Sequence, residues 1–224
     1  MPNPGFSPNQ AARAVQQQFD QVAHQYDQHR SDVGWCGPEV LQDAIEANCP
    51  RHEFQNVVDI ACGTGQASSR FHKPGCSVIG LDISSAMLAV AKKNFPDLER
   101  LAQFEFSQPL SSVGIKPNSM NLVICSGSLH YAEDLQHAVS EMADALAPGG
   151  VLAIDYLLKQ DATFGPQTRP LAKADVDAAL AKAGLAIVHN EQFVGYYQEG
   201  DPARPLYFQT TIAKRRDDLT GGSF

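Results

Sequence analysis

The stretch VVDIACGTGQ, Val57 to Gln66, sets the strongest limit on what this chain can become. A short apolar run holding one acid, Asp59, gives way at once to glycines 63 and 65. Such a run reads as a buried strand, and the glycines mark a tight turn into a helix predicted over Gln66 to Phe71. The alternation continues downstream. Further strands are predicted at 77–81, 103–106, 122–125 and 151–158. A helix is predicted from Ser84 to about Asn94. A second follows the stripe Leu135, Ala138, Val139, Met142 and Leu146, and a third runs from Leu171 to Ala183. Pro148-Gly149-Gly150 breaks the second, and Gly184 stops the third. Two late strands, 186–193 and 206–213, flank the loop GYYQEGDPARP and read as antiparallel partners. Strands that alternate with helices imply a mostly parallel sheet covered on both faces. Ligands of such sheets sit at the carboxyl ends of the strands, where strand order reverses.

Upstream of this core the pattern is helical. Residues 1–6 form a proline-rich lead, and Ser7-Pro8-Asn9-Gln10 reads as a capping box with Ser7 as the cap. The helix that follows is predicted to run to about Arg30, with Val15, Phe19, Val22 and Tyr26 on one stripe. A second helix is predicted over Pro38 to Asn48 and ends at Cys49-Pro50. Residues 1–50 are thus expected to cover the core as part of the same domain. Residues 51–214 form that core, and 215–224 a fraying polar tail.

Bulk properties narrow the function classes. At 224 residues the chain suits one α/β domain with an additional segment. Its net charge of −8 disfavours a phosphate-binding surface, so no nucleic acid is expected. The five cysteines are scattered without a CxxC pair, which points away from a zinc site or a disulfide framework. MPNPGFSPNQ lacks the features of a signal peptide, and no apolar run nears the roughly 20 residues of a membrane helix. A soluble cytoplasmic protein is expected; oligomeric state is not legible.

Gly63 and Gly65 remove side chains where backbone must approach a ligand, and the expected helix would add free N–H groups there. Asp82 ends the second strand in GLDIS, seventeen residues after Gly65, where an acid can accept from two ribose hydroxyls. Asp59 is a buried acid that needs a partner. A dinucleotide fingerprint reads GxGxxG, but Ser68 stands at its third glycine. That weakens the alternative of a nicotinamide-dependent oxidoreductase.

VVDIACGTGQ, GLDISSAML and LAPGGVLAIDY together resemble the successive motifs of class I S-adenosylmethionine (SAM) dependent methyltransferases. FDQVAHQYDQHR is similar to the helix that lies over the cofactor in small-molecule members. With WCGPEVL and LHYAEDL, the pattern resembles the methyltransferase part of TPR-containing methyltransferases. The resemblance implies a Rossmann-like, seven-stranded, mostly parallel sheet with an antiparallel last strand and an N-terminal helical cover. It implies SAM as cofactor, S-adenosylhomocysteine as product and a small-molecule acceptor, with no metal. Gly63 and Gly65 would hold the amino-acid end of SAM, Asp59 would help orient it, and Ala61 would also contact the cofactor. Asp82 would take the ribose hydroxyls, and Ile83 and Met87 the adenine. Ser126 would offer its backbone to the amino group, and Tyr26 and Arg30 would meet the carboxylate. Members of the family often place an acid after the third strand for the adenine amino group; Ser107 and Gln108 of FEFSQPL stand in for it here. Asn121 replaces the Asp that often starts the fourth strand. A SAM-binding regulatory or partner subunit without transferase activity is the other reading.

Methyl transfer asks mainly for alignment of a nucleophile opposite the sulfur, worth roughly 7–11 kcal/mol. The loop CSGSLHY, after the fourth strand, offers His130 as a base and Tyr131 at the pocket wall. The other reading of His130, and the favoured one, is a half-buried histidine packed under the cover. Asp155-Tyr156 ends the fifth strand at the same edge, for substrate contact or structure alike. Trp35 is expected to pack, and His24, Asp27 and His29 to form solvated surface.

Overall fold

The computed structural model describes residues 9–49, 54–162, 164–198 and 201–220. Seven strands form one sheet: β1 (Asn56–Ile60), β2 (Ser77–Asp82), β3 (Arg100–Gln103), β4 (Met120–Cys125), β5 (Leu146–Leu157), β6 (Leu185–Tyr197) and β7 (Pro205–Arg215). Their order is β3-β2-β1-β4-β5-β7-β6. β1 to β5 pair parallel, and β7 runs antiparallel to both β5 and β6. The order reverses between β1 and β4, so the crevice for a ligand lies above those two strands.

Alternation along the strands divides the core in two. Val58, Ile60, Val123, Leu152 and Ile154 face α5 (Leu135–Ala145) and α6 (Lys173–Lys182). Val57, Val78, Leu122, Ile124 and Ala153 face α3 (Gly37–Asn48) and α4 (Ser85–Asn94). Leu41 and Ile45 of α3 are fully buried there, each contributing about 2 kcal/mol by area removed from water. Asp59 shares that second face and is fully buried with it. Asn121 accepts from the backbone N–H groups of Gln55 and Asn56 (3.3 and 3.0 Å), which secures the start of β1.

The cover departs from a single helix. α1 (Gln10–Val22) passes through a 3-10 turn at Ala23–Gln25 into α2 (Tyr26–Asp32). The break lets each half tie to a different part of the core. Asp20 accepts from the Ser84 hydroxyl (2.5 Å), whereas Asp27 accepts from Thr64 (2.5 Å) and Asn94 (3.1 Å). Asn9 caps α1, its Oδ1 accepting from Ala12 N at 2.9 Å; the proposed cap Ser7 lies outside the described residues. Asp27 is therefore a tether rather than solvated surface. His24 and His29 are exposed. Trp35 packs, as its aromatic character suggests, against Phe193, Tyr196 and Phe208. Its ring fills a slot left by glycines: a Cβ on Gly37, Gly127 or Gly195 would collide with it.

Other boundaries also moved. β3 lies three residues before its expected place, because register with β2 pairs Ile79 with Arg100 and Asp82 with Gln103. The helix expected over Gln66–Phe71 is only a 3-10 turn at Ser69–Phe71. Gln42 of α3 donates to the carbonyls of Gln66 and Ala67 (both 2.9 Å), satisfying from outside what a helix would satisfy within. α6 starts at Lys173 because Leu171 is drawn into a bridge with Leu158. β6 and β7 are longer than their apolar cores, and the tail begins with a short helix, α7 (Arg216–Thr220).

Candidate active site

A cavity of about 870 Å³ opens at the carboxyl ends of β1, β2 and β4, under α1 and α2. Ala61 and Gly63 form part of its floor, and both take left-handed backbone, with φ of 56° and 53°. A Cβ on Gly63 would meet nothing within 4 Å, so bare backbone faces open space. Gly65 differs from its expected part: it does not line the cavity, and a Cβ there would lie 2.8 Å from Phe95. It is a packing glycine that brings the turn against α4.

Asp82 is buried at the cavity wall. Its Oδ2 accepts from Gly63 N and its Oδ1 from Ser84 N, each at 2.8 Å. These bonds fix the carboxylate and join the glycine turn to the N-terminus of α4. Burial pushes its pKa up to about 6, against the two backbone donors. Ile83 and Met87 line the same wall. Beyond them come Phe104, Glu105, Phe106 and Ser107. Gln108 does not line the cavity; its Oε1 accepts from Glu105 N at 3.3 Å. Ser107 donates its hydroxyl to the Glu105 carboxylate. The acid on this wall is Glu105, in the loop that follows β3. With β3 ending at Gln103, FEF reads as a loop and its acid becomes visible.

Asp59 is fully buried and does not line this cavity. Neither of its oxygens has a hydrogen-bond partner of normal geometry. Burial drives its pKa up to about 7; nearby Ser68 opposes this, while Asp82 and Asp155 reinforce it. Ser126 and Gly127, after β4, line the cavity and are held from below by Asp155, a residue whose role the sequence left open.

A smaller cavity of about 360 Å³ adjoins the first and shares Tyr26, Ala61, Gly63, Ser126, Gly127 and Tyr131 with it. Arg30 lines it, boxed by the rings of Tyr26 (4.9 Å), Trp35 (5.7 Å) and Tyr196 (5.6 Å). Burial works against its charge, but Tyr26, Tyr196 and Tyr131 outweigh it and raise its pKa. Its Nε has no partner.

His130 faces this second cavity rather than the first. Its Nδ1 accepts from Leu157 N at 3.4 Å, and burial, aided by Arg30, pushes its pKa down to about 3. A ring so placed is a poor base. His130→Gln is therefore expected to leave the pH profile of turnover unchanged between about pH 6 and 9, where the parent ring is already neutral; loss of an acidic limb would contradict this. Tyr131 lines both cavities and packs edge-on to Phe19, with ring centroids 5.6 Å apart. Burial raises its phenol, which suits a wall better than a proton donor. Among the described residues, no group of three His, Cys, Asp or Glu is arranged to hold a metal ion, and no helix is long and apolar enough to cross a membrane.

The sheet reverses strand order at this crevice, with a glycine turn after β1 and an acid at the end of β2. The chain's fold is similar to that of a SAM-dependent methyltransferase from Clostridium acetobutylicum (TM-score 0.63 at 19% identity, over 88% of this chain and 98% of that one), and residues 58–154 match the family model described as a methyltransferase domain. It is 31% identical over 149 residues to malonyl-[acyl-carrier protein] O-methyltransferase of Enterobacter lignolyticus, covering 65% of this chain and 54% of that protein. It is 32% identical over 143 residues to trans-aconitate 2-methyltransferase of Variovorax paradoxus, covering 58% and 52%. The chain thus spans about half the length of these curated relatives. In fold it is similar to 1,6-didemethyltoxoflavin-N1-methyltransferase of Burkholderia thailandensis, solved with 1,6-didemethyltoxoflavin and S-adenosylhomocysteine. That likeness has a TM-score of 0.69 at 15% identity, over 96% of this chain and 93% of that one.

Proposed function

We propose that the chain is a methyltransferase that holds SAM in the larger cavity and methylates a small-molecule acceptor. The observation that carries this reading is the fixed carboxylate of Asp82 beside the bare backbone of Gly63, at the point where strand order reverses. When bound, SAM supplies a methyl group already activated by its sulfonium. Asp82 would accept from the ribose hydroxyls, with Ile83 and Met87 against the adenine and Glu105 toward its amino group. Gly63, Ala61 and Ser126 would hold the amino-acid end, whose carboxylate would reach Tyr26 and, in the adjoining smaller cavity, Arg30. A cavity of 870 Å³ lies near the upper end of the usual range for small-molecule sites and leaves space beside the cofactor. The chain's task there is to align the acceptor and exclude water. A small acceptor draws support from the relative named for trans-aconitate and from the structural neighbour that carries 1,6-didemethyltoxoflavin.

The test is incubation of the protein with methyl-labelled SAM and a metabolite extract, followed by mass spectrometry. A labelled small molecule is expected. Cofactor binding without any labelled product would favour the regulatory-subunit alternative instead.

The cover should respond to the cofactor. Asp27 bonds to Thr64 inside the glycine turn, and Asp20 to Ser84 beside Asp82, so the ties of α1 and α2 reach the ligand's own walls. Hydrogen exchange of residues 10–32 is expected to slow when SAM is added, and Asp27→Asn to weaken that protection. Equal exchange with and without SAM would rule out a cover that responds to the ligand.

A further inference from the structure

The loop after β4 meets the cavity through Ser126 and Gly127, and both are held by one side chain outside it. Asp155 lies two residues before the end of β5, is fully buried and lines neither cavity. Its Oδ2 accepts from the Ser126 hydroxyl at 2.6 Å, and its Oδ1 from Gly127 N at 2.6 Å. The same Gly127 N–H also reaches the Asp155 carbonyl at 3.2 Å. Gly127 needs such support, because its φ of 61° is left-handed. On its far side the Trp35 ring lies 2.9 Å from where a Cβ would sit. Backbone, indole and carboxylate therefore fix the loop together, and only the carboxylate can change its charge.

Resting on the reading of the site as a SAM pocket, we propose that Asp155 is a positioning residue: in its ionised form it holds Ser126 and Gly127 in the shape that receives the amino-acid end of the cofactor. Both side-chain bonds need acceptors. An ionised carboxylate supplies two, whereas a protonated one supplies a donor in place of part of that capacity. The titratable groups that interact with Asp155 are Asp59 of β1, Cys125 of β4 and Cys36 before α3, with Thr210 opposite it on β7. Burial raises the Asp155 pKa to about 7, against the pull of Ser126 and Gly127. Loop order and cofactor affinity should thus strengthen as pH rises through neutrality.

The experiment is calorimetric titration of the full chain with SAM from pH 6 to pH 8.5, for the parent, Asp155→Asn and Ser126→Ala. Asn keeps one acceptor and cannot ionise. Asp155→Asn is expected to bind about tenfold more weakly at pH 8, the loss of one charge-assisted hydrogen bond. It should also lose the rise in affinity between pH 6.5 and 8 that the parent shows. Asp59 and Asp82, whose pKa values burial also raises, are present in both proteins, so the difference between the two profiles reads Asp155. Ser126→Ala, which cuts one bond and leaves the carboxylate, should bind a few-fold more weakly and keep the parent's pH dependence. If Asp155→Asn does not fold, Ser126→Ala and the parent's pH profile decide alone. Parent-like affinity in both variants, or a parent affinity flat from pH 6.5 to 8, overturns the proposal. A parent that fails to bind SAM at any pH overturns the cofactor assignment instead.

Discussion

Replacing Asp82 with Ala is expected to weaken SAM binding by about a hundredfold or more. The carboxylate is buried and fixed by Gly63 N and Ser84 N, so it stands ready for a ribose with little ordering cost. Hydrogen bonds to a charged acceptor contribute roughly 1.5–3 kcal/mol each, and a ribose diol offers two. Loss of both corresponds to at least two orders of magnitude in affinity. The same change also strips acceptors from two backbone N–H groups, so the Ala variant should melt at lower temperature than the parent. Asp82→Asn separates the two effects, because its amide keeps one acceptor and the volume. It should bind more weakly than the parent but more tightly than Ala. Titration with SAM, alongside circular dichroism to verify folding, measures both variants. Parent-like affinity in the Ala variant would remove the ribose contact.

Asp59→Asn should act in the opposite direction on stability. Asp59 is fully buried, neither oxygen has a hydrogen bond of normal geometry, and burial raises its pKa to about 7 in spite of nearby Ser68. A carboxyl with a folded pKa above its unfolded value of about 3.9 costs nothing while both states are protonated. As pH rises from about 4 to about 7, the unfolded chain ionises and the folded one resists. Stability falls across that window and then levels off. Asn removes the loss at nearly constant volume. Three pH units correspond to roughly 4 kcal/mol, or about 10 °C in melting temperature for a chain of this size. The gain should be present at pH 8 and shrink toward zero near pH 4. A variant no more stable than the parent at pH 8 would mean that a buried partner already compensates the charge. A cost of this kind at the base of a binding site is what selection retains for function. Asp59 and Asp155 lie outside the cavity lining and Asp82 within it, three buried acids around one site.

The parts of this molecule legible in the sequence are those set by local pattern. β1, β2 and β4 are apolar runs that hold or precede an acid or a polar loop, whereas the switch between β1 and β4 is fixed by strand pairing. β3 was misplaced because RLAQ carries no apolar run; pairing with β2 makes it a strand. With β3 ending at Gln103, Glu105 falls in the loop that lines the cavity, beside Ser107. The turn after Gly65 looks helical in composition, but Gln42, more than twenty residues upstream, satisfies its carbonyls. Asp20 and Asp27 sit on the polar face of the cover, and only folding brings Ser84 and Thr64 to them. His130 kept two readings in the sequence, because burial, which drives its basicity down, is a property of the packed core. Gly63 and Gly65 look alike in the motif, yet one faces the cavity and the other faces Phe95.

Calorimetric titration of the intact protein with SAM, and in parallel with NAD, bears most directly on whether this crevice is a methyl-donor site. Saturable one-to-one binding of SAM, with no heat from NAD, is the predicted result. Binding of NAD with no response to SAM would contradict it.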